Sequence, residues 1–359
     1  MEAKKMGKYT RYDFTISIVM NDGKGSNSYS CKLPYKLSTI HEDNLCITGR
    51  EISISGSRKK NLNVDEVFNS HNSEVHNQII KSLCYYFLLN KKVVKINSVE
   101  VVDFKGKRKK FNSRQINQAS ENNISISNLS SLSLNCVHVV FENSERGRSY
   151  YRALTHLIGA ACESNINDSF EKTWKAFNTL YKTITGKHKD HDCHVDLRAK
   201  ILERPDLFPL SVNYCNTLSE DQIRDRIRWV AMIQNDYKDE GQAKNFKCFV
   251  KRYSDYRIMN IMKKTLSVRE VFLKNKGFYD EVEQHIESNI LAGTINDPEI
   301  VTLLCIKYMY FTRNKSMHGE HFDSGFRLLI DNLQQKNTEW LKDLLTLLII
   351  DMFNSHSSF

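Results

Sequence analysis

The stretch DSFEKTWKAFNTLYKTIT, residues 168 to 185, decides the fold class of the second half of the chain. Its large apolar side chains are four, three and four positions apart: Phe170, Trp174, Phe177 and Tyr181. That spacing is typical of one face of an α-helix. Gly186 follows, and glycine is the residue type that most often ends a helix. The stretch therefore predicts an amphipathic helix with an aromatic face toward a core.

Helical periodicity continues on both sides of this stretch. The possible capping box from Ser219 to Gln222 predicts a helix start, and so do Asp297 as a cap and Pro298 in the first turn. The helix that begins there is expected to stop at Gly319. The segments with this periodicity are SYYRALTHLIGAACE (149–163), SEDQIRDRIRWVAMIQND (219–236), DPEIVTLLCIKYMYFTRNKSMH (297–318) and FRLLIDNLQQKNTEWLKDLLTLLIIDMF (326–353).

The first third of the chain has a different pattern, in which apolar residues alternate with polar ones over short runs. Such runs, separated by turn residues, predict β-strands. They are YDFTISIVM (12–20), SYSCKLPYKL (28–37), LCITGREISISGS (45–57) and VVKINSVEVVDF (93–104). One amphipathic helix, residues 72–90, interrupts them. We therefore expect an α+β protein, with a small mixed domain at 1–140 and a helical domain at 148–359.

Composition and charge limit the classes of function. The 359 residues are 40% hydrophobic and 26% charged, as in an ordinary globular protein. The net charge of +10 favours an anionic partner, most simply nucleic acid. The longest apolar run, residues 344–353, is too short to span a bilayer, and no apolar segment follows the N-terminal lysines. Nine cysteines without a CxxC pair indicate reduced thiols, so we expect a cytoplasmic chain without a membrane partner.

The stretch KYMYFTRNKSMHGEHFDSG, residues 307–325, places polar groups at the end of an otherwise apolar helix. Asn314 and His318 are four positions apart, so they lie about 40° from each other around a helix axis, whereas Arg313 and His318 lie about 140° apart. Arg313 must reach around the helix, or the last turn must unwind, or a second copy of the helix must complete the site.

The sequence RNKSMH resembles the Arg-Asn-any three-His signature of HEPN domains, which are helical nucleic-acid-processing modules of bacterial toxin, abortive-infection and CRISPR-associated ribonucleases. The match is Arg313, Asn314 and His318, followed by Gly319. Residues 170–181 are similar to the preceding core helix of the Apea-like HEPN branch, which usually carries a glutamate near the place of Asn178. The resemblance covers roughly 148–355, with a long middle insertion.

This resemblance implies a helical bundle in which two copies of the motif meet across a homodimer. It also implies a metal-independent endoribonuclease with Arg313, Asn314 and His318 as catalytic residues and without a cofactor. The residue types suit that chemistry. Histidine titrates near neutral pH and can act as a general acid or base, and arginine donates a planar fork of hydrogen bonds to phosphate oxygens. Bacterial anti-phage or toxin effectors of this kind are controlled by an antitoxin or by a phage-derived trigger. The N-terminal domain would then be the sensor or the substrate-selecting part.

Other interpretations of the motif remain open. Arg313 and His318 are also what the C-terminus of any helix favours, because cations there interact well with the helix dipole. The chain is then a non-catalytic HEPN-like module that binds RNA, or a helical protein-interaction module. No Walker A, GxGxxG, HExxH or GxSxG sequence is present, so nucleotide hydrolysis, zinc proteolysis and serine hydrolysis lack their signatures.

Two basic segments are candidates for RNA contacts. KGKRKKF, residues 105–111, sits at a turn after a strand and offers Lys107, Arg108, Lys109 and Lys110. NFKCFVKRYSDYRIMNIMKK, residues 245–264, interleaves aromatic residues with cations, including Lys251 and Arg252. Aromatic side chains can stack on unpaired bases while cations bind phosphate. The alternatives are a solvated turn for the first segment, and for the second a single amphipathic helix whose aromatic stripe is buried.

The segment GKHKDHDCHVDLR, residues 186–198, contains potential metal ligands: His188, His191, Cys193 and His194. Its spacing fits no zinc motif, and a solvated polar loop accounts for it better. We therefore assign no metal to it.

Overall fold

The computed structural model describes residues 11–21, 28–35, 38–69, 73–317 and 332–359. The chain divides into two compact units, Met1–Ser164 and Asn165–Phe359. The first combines an antiparallel sheet with helices and the second is helical, so the fold is α+β as predicted. Within the described part of the chain, no helix has both the length and the apolar composition needed to cross a membrane.

The first unit contains a six-stranded antiparallel sheet with the strand order β2-β3-β4-β1-β6-β7. Its strands are β1 Tyr12–Met20, β2 Ser28–Pro34, β3 Glu42–Thr48, β4 Glu51–Arg58, β6 Ile96–Val102 and β7 Arg108–Asn112. A separate pair consists of β5 Lys92–Val93 and β8 Ile124–Ser125. The strands predicted from alternation are thereby confirmed, whereas β7 was expected to be a turn.

One face of this sheet is the core of the first unit. Alternate residues of β1 are buried at 3% exposure or less: Phe14, Ile16, Ile18 and Met20. Helix α1, Glu74–Leu89, contacts β4 and begins at Ser73, whose hydroxyl accepts a hydrogen bond from the His76 amide at 3.1 Å. Because successive side chains of a strand point to opposite faces, the alternation in the sequence determines which face is covered.

Two further helices complete the first unit: α2 Leu134–Val137 and α3 Glu145–Ala161. Helix α3 begins at Ser144, whose hydroxyl accepts a hydrogen bond from the Gly147 amide at 2.9 Å. Helix α3 packs against α1 and against the 3₁₀ turn His138–Phe141. For this reason the division between units falls after Ser164, later than the expected boundary between residues 140 and 148.

The second unit is built from helices of very different lengths. They are α4 Ile166–Thr185, α5 Asp190–Glu203, α6 Pro209–Asn216, α7 Glu220–Arg226, α8 Trp229–Asp236, α9 Ala243–Val250, α10 Tyr256–Thr265, α11 Glu270–Asn275, α12 Tyr279–Ala292, α13 Asp297–Val301, α14 Met309–Met317 and α15 Leu333–Asn354. Helices α4 and α15 pack against each other. The aromatic face of α4 is buried, and Gly186 ends the helix at φ 63°, both as predicted.

Residues 245–264 are not the single helix that their periodicity suggested. Helix α9 ends at Val250 and α10 starts at Tyr256, because the Asp255 side chain caps α10 by accepting a hydrogen bond from the Arg257 amide at 2.9 Å. The expected burial of the aromatic residues is confirmed for Phe246, Phe249 and Tyr253, which are 4% exposed or less.

Two helix starts can be compared with their sequence signals. The capping box from Ser219 to Gln222 is present at α7. At α13 the cap is Asn296 rather than Asp297, since the Asn296 side chain accepts a hydrogen bond from the Glu299 amide at 3.3 Å. Asp297 instead receives hydrogen bonds from the side chains of Arg257 and Asn216, which hold the start of α13 to α10 and α6.

Candidate active site and basic surfaces

The motif helix is formed by three consecutive segments: α13, a π-helical turn at Thr302–Tyr308 and α14. The π-helical turn is buried, with Leu303, Leu304 and Cys305 at 0% exposure. Its one charged residue, Lys307, is half-buried and forms an ion pair with Asp236. A helix whose other side chains are buried nearly all round lies inside a bundle. A π-helical turn inserts an extra residue into a helix and often occurs next to functional sites. It precedes the predicted catalytic residues by one turn.

Arg313 and Asn314 lie together on the last turns of α14. The Arg313 guanidinium donates a hydrogen bond from Nη1 to Asn314 Oδ1 at 3.1 Å, and both side chains are half-buried. Arg313 thus reaches around the helix toward the face of Asn314, one of the options that the sequence left open. His318 and Gly319 lie outside the described residues, so their predicted roles remain predictions.

Aromatic rings pack against α14 one turn before Asn314. The Tyr310 ring centroid lies 5.0 Å from that of His194 on α5 and 6.2 Å from that of Trp174 on α4. His194 also meets Tyr181 edge-on at 5.0 Å. Burial lowers the pKa of His194 to about 4, so this imidazole is neutral at pH 7. Helices α4 and α5 therefore support the motif helix from one side.

Two polar atoms in this region are buried without a hydrogen-bond partner among the described residues: Asn178 Oδ1 on α4 and His194 Nε2. Asn178 is the residue that departs from the glutamate of the Apea-like pattern. Its side-chain oxygen has no partner of the kind that a buried polar atom normally has.

The potential metal ligands at 186–198 are not gathered into a site. Residues from Asp190 onward form helix α5 rather than the expected loop, because acidic side chains in the first turn favour a helix start. His188 and His191 are exposed, whereas Cys193 is buried with Sγ 3.4 Å from the Lys187 carbonyl oxygen. Across the described residues, no group of three or more His, Cys, Asp or Glu side chains could hold a metal ion.

A cavity of about 430 Å³ lies beside α14 in the second unit. It is bounded by the N-terminal part of α15, the Asp225–Arg228 segment and the α14 side chains Phe311, Thr312 and Lys315. Its lining has three cationic residues, Arg226, Arg228 and Lys315, and one acidic residue, Asp225, so cations are in excess. Such a lining favours an anionic chain next to the helix that carries Arg313 and Asn314.

Of the predicted RNA-binding run at 107–110, residues 108–110 belong to the exposed edge strand β7 rather than to a turn. Lys107 donates a hydrogen bond to Asp65 at 2.5 Å, and Lys109 lies 3.5 Å from the same carboxylate. The hydrogen bond from Lys107 lowers the pKa of Asp65. Alternation along the strand places Arg108 and Lys110 on the other face. These two cations are exposed.

The second predicted basic segment supplies fewer cations than the sequence indicated. Lys251 forms an ion pair with Glu281, and Lys247 contacts the same carboxylate at 3.0 Å. Arg257 is 3% exposed and belongs to a buried network. Arg252 stays exposed at the end of α9. Among the described residues, Lys251 has an acidic partner and Arg252 has none. Of the predicted pair, Arg252 is therefore the cation whose charge no neighbouring carboxylate balances.

Two features of the structure were not predicted from the sequence. Nothing in the residues of 302–308 distinguishes a π-helical turn from an α-helix of the same apolar composition. Lys81 of α1 lies buried beside a cavity. Its place among the apolar positions of IIKSLCYY, residues 79–86, could have indicated that burial.

Comparison of the chain with protein-family models, with curated proteins and with solved structures finds no match.

Proposed function

We propose that this chain is a metal-independent endoribonuclease of the HEPN type, with Arg313, Asn314 and His318 at its active site. The observation that carries the proposal is the hydrogen bond between Arg313 and Asn314, at the end of a helix that is otherwise buried. The adjacent cavity with its cationic lining supports an RNA substrate.

The reaction is an attack of a ribose 2′-hydroxyl on the neighbouring phosphorus. One histidine accepts the 2′-hydroxyl proton while the O2′–P bond forms. The P–O5′ bond breaks, and a second histidine donates a proton to the leaving 5′-oxygen. Arg313 stabilises the negative charge of the phosphorane, and Asn314 orients the guanidinium. The products are a 2′,3′-cyclic phosphate and a 5′-hydroxyl, and proton transfer of this type contributes about 10² to 10⁴ in rate.

The two histidines come from two copies of the chain in a homodimer. A twofold axis brings identical surfaces together, so each motif helix meets its own copy. In this proposal residues 148–355 form the dimer contact. A monomeric mass in sedimentation equilibrium, measured on protein that is fully active as a nuclease, contradicts the shared site.

The biological role that fits this activity is a cytoplasmic effector of bacterial anti-phage defence, abortive infection or a toxin system. The first unit then senses the trigger or selects the substrate. The trigger is phage-derived, or the release of an antitoxin. Because uncontrolled cutting of cellular RNA is toxic, such a nuclease requires restraint.

The test is cleavage of total RNA by the full chain, with and without a chelator. Arg313→Ala and His318→Ala are each expected to remove cutting, and Asn314→Ala to weaken it less. The matched controls are Arg204→Ala, at an exposed ion pair with Asp206, and His191→Ala, at an exposed histidine. Both controls are expected to cut at the wild-type rate.

Two further measurements separate the mechanism from its rivals. RNA with a 2′-deoxy sugar at the cut position should resist, and end-labelling should find 5′-hydroxyl products. Robust cutting by His318→Ala, or chelator inhibition that added metal reverses, refutes the mechanism. Binding of RNA without cutting assigns the chain to the non-catalytic RNA-binding class, and absence of both assigns it to protein interaction.

A further inference from the structure

A second cavity, of about 620 Å³, opens in the first unit between α1 and α3. It is separate from the residues discussed above as an active site. Its lining includes Glu74, His76 and Lys81 from α1 and Arg148, Tyr151 and Arg152 from α3. A volume of roughly 300 to 1,000 Å³ is typical of pockets that hold small molecules.

Of the described residues in the lining of this cavity, Lys81, at 7% exposure, is the only charged one that is buried, and its position is called the floor of the cavity. Among the described residues its ammonium has no hydrogen-bond or ion-pair partner, and its nearest aromatic contact is the Tyr151 ring, with Nζ 5.7 Å from the centroid. Burial lowers the pKa of Lys81, with Glu74 acting in the opposite direction and Arg148 in the same one. A buried charge without a partner is costly, so proteins rarely keep one unless it meets a ligand.

The remaining charges around the cavity are closer to water. Arg148 and Glu145 form an ion pair at 2.6 Å, with side chains 42% and 73% exposed. Glu142 and Arg152 are exposed as well, whereas Glu74, whose charge raises the pKa of Lys81, is half-buried. Water screens charges at such a rim, whereas the field of the buried ammonium is screened much less. Although acidic and basic residues both line the cavity, its floor is therefore positive.

We propose that this cavity binds a small anion carrying phosphate or carboxylate groups, with Lys81 as its buried counter-ion. The anionic group occupies the floor and accepts a hydrogen bond from the Lys81 ammonium. The Tyr151 ring contacts the less polar part of the ligand, and Arg152 adds a second cation from the rim. The site is independent of the proposed ribonuclease activity, and its ligand is of the size of a nucleotide or a tricarboxylic acid.

The test is isothermal titration calorimetry of the full chain at physiological salt with pyrophosphate, ATP and citrate as probes. At least one probe is expected to bind, and the probe that binds shows whether phosphate or carboxylate is recognised. Lys81→Met should weaken that binding roughly tenfold to a hundredfold, the range for a hydrogen bond to a charged group. The matched control is Lys60→Met, at an exposed lysine of the same unit, and it should bind like wild type.

A second readout and a second variant separate ligand binding from folding. Without ligand, Lys81→Met should melt at a higher temperature than wild type, because an unpaired buried charge is replaced by an apolar side chain of similar length. If Lys81→Met does not fold, the binding of the probes to Arg152→Gln tests the proposal instead. An exposed rim residue can be changed without loss of the fold. Binding of none of the three probes at millimolar concentration overturns the proposal. The proposal is also overturned if Lys81→Met binds the probe as tightly as wild type does. If Lys81→Met does not fold, wild-type affinity of Arg152→Gln has the same meaning.

Discussion

Replacement of Arg257 by methionine is expected to destabilise the second unit strongly. Arg257 contacts the start of the motif helix through Asp297. All five N–H donors of its guanidinium group form hydrogen bonds. Nε and Nη2 donate to the Asp255 carboxylate at 3.0 and 2.8 Å, and Nη2 also donates to Asp297 at 2.6 Å. Nη1 donates to the carbonyl oxygens of Cys215 and Leu218 at 3.1 and 2.9 Å.

The magnitude follows from what the substitution leaves behind. Asp255 is 0% exposed, so water cannot replace the lost guanidinium. Asp255 retains the hydrogen bonds from the backbone amides of residue 257 and Asn296, at 2.9 and 2.7 Å, but not a counter-charge. Removal of one partner from a buried ion pair typically costs about 3 to 5 kcal/mol. Arg257→Lys keeps the charge with fewer donors in a different geometry, and we expect it to cost about 1.5 to 3 kcal/mol.

The assay is urea unfolding followed by tryptophan fluorescence. The three tryptophans of the chain are Trp174, Trp229 and Trp340, so the signal reports on the second unit alone. The control is Arg204→Met, which removes an exposed ion pair and should change the free energy of unfolding by less than about 0.5 kcal/mol. A loss below about 1 kcal/mol for Arg257→Met would show that the network does not hold the helices together.

Two further predictions concern pH and salt. Burial raises the pKa of Asp351 to about 6, whereas the unfolded value is about 3.9. The folded state therefore holds the extra proton between these values, and this group lowers the free energy of unfolding by about 3 kcal/mol as the pH rises from about 4 to about 6. Asp351→Asn should lack this contribution, and parallel pH profiles of the two proteins in urea unfolding would contradict the assignment. Replacing Arg108 and Lys110 by glutamine should weaken RNA binding for all sequences and reduce its salt dependence without moving the cut site; an unchanged salt slope would mean that the strand is only solvated.

The strands of the first unit could be predicted because burial and alternation have the same period. In β1, Phe14, Ile16 and Ile18 are buried, and polar residues lie between them. The aromatic face of α4 was predictable for the same reason, with the period of a helix. These are features in which the local pattern and the tertiary packing agree.

The sequence could not give the features that depend on long-range polar contacts. The break between α9 and α10 follows from Asp255 and Glu299, since Glu299 accepts hydrogen bonds from the amides of Ser254 and Asp255 at 2.7 and 2.9 Å. Residues 254 and 299 are far apart in the chain. The helical spacing of apolar residues continues without interruption between α9 and α10, so it gives no sign of the break. For the same reason the sequence of residues 245–264 does not show that Arg257 is buried by its partners.

Arg313 and Asn314 stand out in the sequence because polar side chains follow a long apolar segment there. The supporting contacts of Tyr310 with His194 and Trp174 were not predictable, since they join three helices. The cavity beside Lys81 required the structure as well, because a lysine among apolar positions can indicate burial but not the empty space next to it.

The π-helical turn at Thr302–Tyr308 has a consequence for how the motif helix tolerates changes in length. In an α-helix, deletion of one residue rotates everything that follows by about 100°. A wide turn already holds one residue more than an α-turn, so a deletion within it can convert it to α-helix and leave the following residues facing the same way. This turn is therefore the place in the described part of the helix where the chain can lose a residue and still present Arg313 and Asn314 to the same side. A deletion between residues 309 and 312 should turn both away.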